Sequence, residues 1–260
     1  MVPNSCIFYL VNEQEIHVKR LEDSLQCLKD NFLQQYPYPV VFGHEGLADI
    51  TIDRIRAIAP KNHYFHKVDF TLPKYSEDII EKIPEKFKGE WDENAFFSMG
   101  YRHMCRYFSG AIYKDKFFEN VEYMLRIDCD SYFIDKVDYD IFKYVADNNI
   151  IYSSVAEREN EADYVIVGLK QFLEKYFDDN YEMPSVNKTF DTHFELVNFK
   201  WFKEEPYINY FNEIDKTGSI FINRWGDAPL KYQGVKYMLS EDKIHMFNLP
   251  YKHGGDYHAV

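Results

Sequence analysis

The chain has 260 residues, which is enough for one large domain or two small ones with a sizeable core. Its net charge of −13 argues against nonspecific nucleic-acid binding and against a polybasic membrane patch, since both need a basic surface. No segment approaches the roughly 20 consecutive apolar residues of a membrane span. The four scattered cysteines form no CxxC pair and favour a reduced, cytoplasmic compartment, with a single disulfide still compatible.

The beginning of the chain predicts a βαβ unit. "CIFYLV" (6–11) reads as a buried strand, and Asn12 and Glu15 form an N-x-x-E helix start. Apolar residues at helical spacing carry that helix to about Tyr36, where "YPYP" ends it. "VVF" (40–42) is the next strand. This order favours a parallel sheet with helices on both faces.

Helical and strand patterns alternate through the rest of the chain. We predict helices over 50–59, 92–108, 139–149, 164–177, 201–215 and after 229, strands over 64–68, 121–127, 150–155, 193–199 and a last strand over 243–247, and a surface excursion around 73–90. No repeat or linker interrupts them. Residues 1–260 are therefore expected to form a single α/β domain with a mixed, mostly parallel sheet.

The stretch "VEYMLRIDCDSYF" (121–133) places Asp128 and Asp130 at the end of an apolar strand. Residues i and i+2 of a strand point the same way, and two carboxylates on one side suit Mg²⁺ or Mn²⁺ bridging to a diphosphate. On the triplet alone a solvated turn is the commoner explanation, but the buried-looking strand before it argues against that explanation. Haloacid-dehalogenase-type phosphatases share the triplet, with the first aspartate as nucleophile, but they rank second because Ser131 and Tyr132 do not fit their signature.

Four other charged residues stand at positions where a charge needs a specific explanation. Arg102 and Arg106 are i,i+4 neighbours on a helix, a repulsive arrangement that suits an anion between them or separate acidic partners. Glu195 interrupts an apolar strand, where a glutamate more often faces water or a buried arginine than does chemistry. Asp227 stands where a helix would begin, and its spacing favours an N-cap.

His253 precedes two glycines near the end of the sequence. A histidine in that position is usually on the surface. Glycines after it allow the backbone to approach a ligand closely, which keeps a binding role open.

Several segments together carry a family resemblance. "YRHMCRYFSG", "LRIDCDSYFIDKVDYDIFKY", "FELVNFKWFKEEPYINYFNEID", "RWGDAP" and "YKH" occur in this order, and the opening also fits. The chain resembles the fungal α-1,2-mannosyltransferases of glycosyltransferase family 15 over nearly its whole length, with region 43–90 the least specific. The resemblance implies a GT-A fold, a GDP-sugar donor, a glycan acceptor, a divalent cation (Mn²⁺, or Mg²⁺) and retention of anomeric configuration.

The resemblance also implies roles for individual residues. Asp128 and Asp130 match the family's acidic triplet beside the metal and the donor, where the family usually has Glu-Pro-Asp. His253 matches a metal-binding histidine, and Glu195 matches the candidate nucleophile.

Tyr101 matches a donor-site tyrosine, with Arg102 and Arg106 beside it as candidate donor contacts. Asp227 lies in the motif that lines the acceptor side.

Two departures qualify what the resemblance implies. The family's members are Golgi-anchored luminal enzymes, so a chain without an anchor is expected to be a soluble relative or an excised domain of the Golgi lumen. The family tends to carry an arginine where Asn12 and Glu13 stand, so donor recognition is expected to differ. GDP-mannose is the first expectation and a 6-deoxy relative, GDP-D-rhamnose, the second. A non-catalytic nucleotide-sugar-binding module is the alternative of a different class.

Overall fold

The structure is a computed structural model that describes residues 4–73, 79–83, 98–159 and 161–255. Its strands are β1 (Ser5–Leu10), β2 (Val40–His44), β3 (His63–Lys67), β4 (Tyr123–Ile127), β5 (Ser131–Phe133), β6 (Tyr152–Ser154), β7 (Glu157–Glu159), β8 (Lys188–Phe190), β9 (Phe194–Asn198), β10 (Ile244–Met246) and β11 (Tyr251–His253). Its helices are α1 (Glu15–Leu28), α2 (Asp49–Ile58), α3 (Ile79–Lys82), α4 (Met99–Ser109), α5 (Ile141–Asp147), α6 (Leu169–Tyr176), α7 (Phe199–Phe202), α8 (Glu205–Thr217), α9 (Ser219–Ile222) and α10 (Asp227–Met238).

Seven strands form the central sheet in the order β10-β6-β9-β4-β1-β2-β3. Neighbouring strands pair in parallel, except that β9 runs antiparallel to both β4 and β6. The apolar run of β1 is buried because it lies between two other strands and under helices on both faces. The predicted α/β architecture with a mixed, mostly parallel sheet is thus confirmed.

Two apolar clusters cover the two faces of this sheet. Successive side chains of β1 alternate between them, so Phe8 packs with α4, α8 and α10, whereas Ile7 and Tyr9 pack with α1 and α5. Aromatic rings fill much of the first cluster, which accounts for a large part of the 18% of residues that are Phe, Trp or Tyr. The sheet is therefore covered on both faces, and its functional side chains can lie only where the strands end.

Some predicted boundaries were wrong for local reasons. The first helix keeps its α-helical form only to Leu28 and continues as a π-helical turn over Lys29–Leu33. The helix predicted over 201–215 is two helices, because α7 ends at Phe202 and α8 restarts with Pro206 in its first turn. The strand predicted as the last one is followed by β11.

Two further predictions are only partly testable. The helix predicted over 92–108 is described from Met99 onward, and its first residues lie outside the described residues, as does most of the excursion predicted around 73–90. The helix predicted over 164–177 is shorter, since α6 begins at Leu169. Gly168 precedes it with φ of +78°, a left-handed conformation that ends the preceding turn.

Candidate active site

The edge at which β4 ends brings the acidic pair and the distant histidine together. Asp128 follows β4 directly, and β5 begins at Ser131. β11 pairs antiparallel with β5 and sets His253 opposite Ser131. Nδ1 of His253 lies 3.6 Å from Oδ1 of Asp130, and the amide of Gly254 donates to the Asp130 carbonyl at 3.0 Å. Residues 123 positions apart in sequence thus share one site.

The side chains at this edge are accessible and electrostatically varied. Asp128, Asp130 and His253 are 38%, 26% and 32% exposed. Arg20 of α1 approaches from the other side, with Nη1 3.8 Å from Oδ2 of Asp130. Burial and then the neighbouring His193 lower the pKa of His253 against the opposing effect of the aspartates, which favours the neutral imidazole that binds metals.

Cys129 separates the two aspartates and turns the other way. Its thiol is buried and donates to the Leu10 carbonyl at 3.4 Å, and burial raises its pKa. This contact ties the turn after β4 to the end of β1.

The donor set fits a hard divalent cation shared with a substrate. Within the described ranges, no group of three or more His, Cys, Asp or Glu side chains is arranged to hold a metal ion. Mg²⁺-type sites often use one or two carboxylates and take their remaining oxygens from substrate phosphates and water. Asp128 and Asp130 supply carboxylate oxygens and His253 supplies a ring nitrogen, and all three side chains are partly exposed.

Arg126 lies immediately inside the acidic pair and connects three carboxylates. Its Nη1 is 2.5 Å from Oδ2 of Asp227 and 3.4 Å from Oε2 of Glu195, and its Nε is 3.5 Å from Oδ1 of Asp128. The guanidinium carbon lies 3.6 Å from the ring centre of Phe108. Burial opposes the charged form, yet the three carboxylates raise the pKa of Arg126.

Glu195 is the cross-strand partner of Arg126 in the β4–β9 pairing and is only 2% exposed. Besides Arg126 it accepts from Lys231 Nζ at 2.9 Å and from the Tyr152 hydroxyl at 2.8 Å. A small internal cavity of about 10 Å³ beside these groups is large enough for at most one water. The structure therefore places Glu195 against a buried arginine, one of the two ordinary environments expected for it.

Asp227 does not cap its helix, so the N-cap interpretation was wrong. Gly226 is the N-cap, and Asp227 is the first residue of α10, with its carboxylate turned into the core toward Arg126. Burial opposes ionisation, but Arg126 and Lys231 lower the pKa of Asp227. Two buried cations and two buried anions balance here, as buried charges require.

Sequence reasoning missed Arg126 and Lys231. Arg126 is a single charged residue inside the apolar run "YMLRI", and Lys231 follows Asp227 by four residues on one helix face. The signal available in the sequence was a positively charged residue inside a mainly apolar segment, combined with a glutamate inside another apolar strand.

The candidate donor residues on α4 have different surroundings. Ser98 caps this helix by accepting from the amide of Tyr101, whose ring lies 4.9 Å from the guanidinium carbon of Arg224. Arg106 forms a two-point ion pair with Asp215 at 2.7 and 2.8 Å. Arg102 is buried and donates to the Phe221 carbonyl. Arg106 thus has an acidic partner, the alternative considered above.

Comparisons with known proteins point to one family. The family model described as glycolipid 2-alpha-mannosyltransferase matches residues 1–259. A probable mannosyltransferase of Candida albicans is 32% identical over 275 residues, covering 96% of this chain and 70% of that protein. The glycolipid 2-alpha-mannosyltransferase of Saccharomyces cerevisiae is 27% identical over 271 residues, covering 95% of this chain and 59% of that protein. The chain therefore spans little more than half the length of this yeast relative.

The fold has a solved counterpart. The crystal structure of core-mannan synthase A from Aspergillus fumigatus, in its Mn/GDP form, superposes with a TM-score of 0.81 at 21% identity, covering 97% of this chain and 75% of that one. None of the helices in the described part of our chain is long and apolar enough to cross a membrane. The chain adopts the GT-A fold and belongs to the glycolipid 2-alpha-mannosyltransferase family.

Proposed function

We propose that residues 1–260 form one catalytic domain that transfers mannose from GDP-mannose to a glycan acceptor with retention of configuration. Membership of a mannosyltransferase family supports the reaction class. The observation that carries the proposal is the meeting of Asp130 and His253, 3.6 Å apart, beside Asp128 at the end of β4. Ligands of open α/β sheets bind outside the carboxyl ends of the strands, which is where these side chains lie.

Asp128, Asp130 and His253 would hold a divalent cation, with Mn²⁺ as the first expectation and Mg²⁺ as the second. A cation bound there supplies charge neutralisation for the diphosphate leaving group. The counterpart solved in a Mn/GDP form supports this expectation. Arg20 adds a positive charge on the opposite side of Asp130.

Glu195 and Asp227 are the proposed catalytic carboxylates. Glu195 accepts hydrogen bonds from Arg126, Lys231 and Tyr152, and it is 2% exposed. An attack on the sugar would require it to leave these donors, whereas electrostatic stabilisation of a positively charged sugar does not. We therefore propose that Glu195, from its buried position, stabilises the positive charge that develops on the sugar. Asp227 is assigned to the acceptor side.

Tyr101, Arg102 and Arg106 are assigned to the donor side, and a donor contact of the two arginines stays a prediction.

The identity of the donor sugar is the part of the proposal that the fewest contacts support. Glu13, at the end of β1 where relatives tend to carry an arginine, accepts from the Ala48 amide at 3.0 Å and from Thr51 Oγ1 at 2.5 Å. This turns its charge toward α2, and GDP-D-rhamnose remains the alternative donor.

A donor panel with Mn²⁺ and EDTA arms tests the proposal. We expect transfer from GDP-mannose that EDTA abolishes, a loss of GDP–Mn²⁺ affinity in Asp130→Ala and His253→Ala, and retained binding with transfer slowed by about 100-fold or more in Glu195→Gln. Asp147→Ala, which removes an exposed carboxylate from α5, is the matched control. Transfer unaffected by EDTA would contradict the metal role, and full activity of Glu195→Gln would remove Glu195 from the mechanism.

The same assays separate the alternatives. Binding of GDP-mannose without hydrolysis or transfer would identify a non-catalytic module. Release of phosphate from an aryl phosphate would support the phosphatase alternative, which family membership already disfavours.

A further inference from the structure

The two oxygens of the buried Glu195 carboxylate have different partners. Oε2 lies 2.9 Å from Nζ of Lys231 and 3.4 Å from Nη1 of Arg126. Oε1 accepts from the Tyr152 hydroxyl at 2.8 Å. Both positively charged donors therefore contact one oxygen of the carboxylate, and the tyrosine contacts the other.

This division decides how firmly the carboxylate of Glu195 is oriented. The terminal torsion of a glutamate side chain has broad preferences. With donors on one oxygen, the carboxylate can still pivot about that oxygen, because the torsions of the side chain can adjust together. A donor on the second oxygen removes this freedom, and in this protein that donor is Tyr152.

Tyr152 is itself held firmly in place. It is fully buried in β6, a strand that pairs with β9, which carries Glu195. The centre of its ring lies 4.4 Å from that of Phe190 and 6.4 Å from that of Phe202. Burial, and then the nearby Glu195, raise the pKa of Tyr152 well above its usual value, so the hydroxyl keeps its proton and donates it to the carboxylate.

The two charged donors already have a separate task. Arg126 and Lys231 balance the buried negative charges of Glu195 and Asp227. The hydroxyl of Tyr152 is neutral and does not enter that balance. Its contact with Oε1 therefore contributes orientation and leaves the charge of the cluster unchanged.

We propose that Tyr152 is a positioning residue of the transfer reaction, which holds Oε1 of Glu195 and thereby fixes the direction in which the carboxylate acts on the sugar. The proposal rests on the role of Glu195 in the proposed function. The effect of Tyr152 on the rate passes entirely through Glu195, whose interaction with the sugar strengthens as positive charge develops. Loss of such an interaction lowers kcat and leaves KM unchanged.

The first test replaces Tyr152 with phenylalanine, which removes the hydroxyl and keeps the buried ring. We expect kcat for GDP-mannose to fall by about 10-fold with KM unchanged, since a displacement of about 1 Å near a reacting group can cost up to about 100-fold.

Tyr38→Phe is the matched control. Tyr38 is also buried, and its hydroxyl lies 2.9 Å from both carboxylate oxygens of Asp140, in the cluster on the other face of the sheet. Each variant loses one buried hydrogen bond to a carboxylate, so thermal melts should show shifts of similar size. We expect only Tyr152→Phe to lose kcat. An equal fall of kcat in Tyr38→Phe, or a loss confined to KM in Tyr152→Phe, overturns the proposal.

The second test combines Tyr152→Phe with Glu195→Gln. When one residue acts through another, their effects on the rate are not additive. We expect the double variant to have the same kcat as Glu195→Gln alone. A further fall of kcat in the double variant, or a wild-type kcat in Tyr152→Phe alone, overturns the positioning role of Tyr152 only. A wild-type kcat in Glu195→Gln overturns the role of Glu195 and this proposal together, and a wild type that transfers no mannose overturns the proposed function as well.

Discussion

The guanidinium of Arg126 joins the two parts of the candidate site. On its inner side it contacts the buried carboxylates of Glu195 and Asp227, and on its outer side it approaches the half-exposed Asp128. No hydrogen bond within the described residues satisfies its Nε, which is directed toward Asp128 at 3.5 Å. One side chain therefore relates the position of a proposed metal ligand to that of two proposed catalytic groups.

Replacing Arg126 with methionine should be strongly destabilising. The change leaves two buried carboxylates with fewer cations, and breaking a buried pair by removing one partner costs about 3–5 kcal/mol. Urea unfolding measures this loss. Arg54→Met is the control, since Arg54 also contacts two acids, Glu15 and Glu22, but at 37% exposure, where a loss of at most about 1 kcal/mol is expected. Equal losses in the two variants would show that burial of the pair is not decisive.

At the scale of elements, α10 is the helix that supplies the buried partners of β4 and β9. Asp227 and Lys231 are four residues apart and share the face toward the sheet. Helix α8 packs against α10, and the Tyr210 hydroxyl of α8 donates to the Leu230 carbonyl of α10 at 2.9 Å. Gly234 faces the same tyrosine and makes the close approach possible.

Gly234→Ala should destabilise the protein although alanine is the better helix former. The new methyl carbon would lie 2.6 Å from a ring carbon of Tyr210, and such overpacking costs about 1–3 kcal/mol. In Gly100→Ala, on α4, the nearest described atom is Ser98 Oγ at 3.6 Å, so we expect a gain of up to about 1 kcal/mol. Thermal melts of the two variants check the sign, and shifts in the same direction would contradict the packing argument.

At the scale of the whole molecule, partly buried histidines make stability depend on pH. Burial lowers the pKa of His44, His103 and His245, and for His103 the nearby Arg106 helps to bring it to about 4. An unfolded histidine titrates near 6.5. Between these values the unfolded chain binds a proton that the folded chain does not, so stability is full above about pH 6.5 and declines as the pH falls toward about 4.

Urea unfolding at about pH 7.5 and about pH 5 measures this decline. We expect His103→Gln to reduce it by about 1–2 kcal/mol, because its partly exposed ring is screened by solvent and contributes less than its full pKa shift. Identical pH dependence in the variant and the wild type would exclude His103 as a contributor.

The sequence predicted those elements that are marked by a continuous local pattern of apolar residues. β1, β2 and β4 were found because each is an apolar run between polar residues, whereas β5 and β11 have three residues each and exist through pairing with each other. Asp128 and Asp130 were named from their position at the end of an apolar strand, and the resemblance joined His253 to them. Arg126 and His193 were not, because spacing along one chain does not tell which side chains face each other across an antiparallel strand such as β9.

The inward turn of Cys129 has a practical consequence. Its sulfur is covered and bonded to the Leu10 carbonyl, so a thiol reagent can label it only when the turn between β4 and β5 opens. A nucleotide bridging the aspartates on either side would keep that turn closed. In a variant in which the other three cysteines are replaced by alanine, the rate of Cys129 labelling would report how much of the site is occupied by nucleotide. The measurement would need no glycan acceptor.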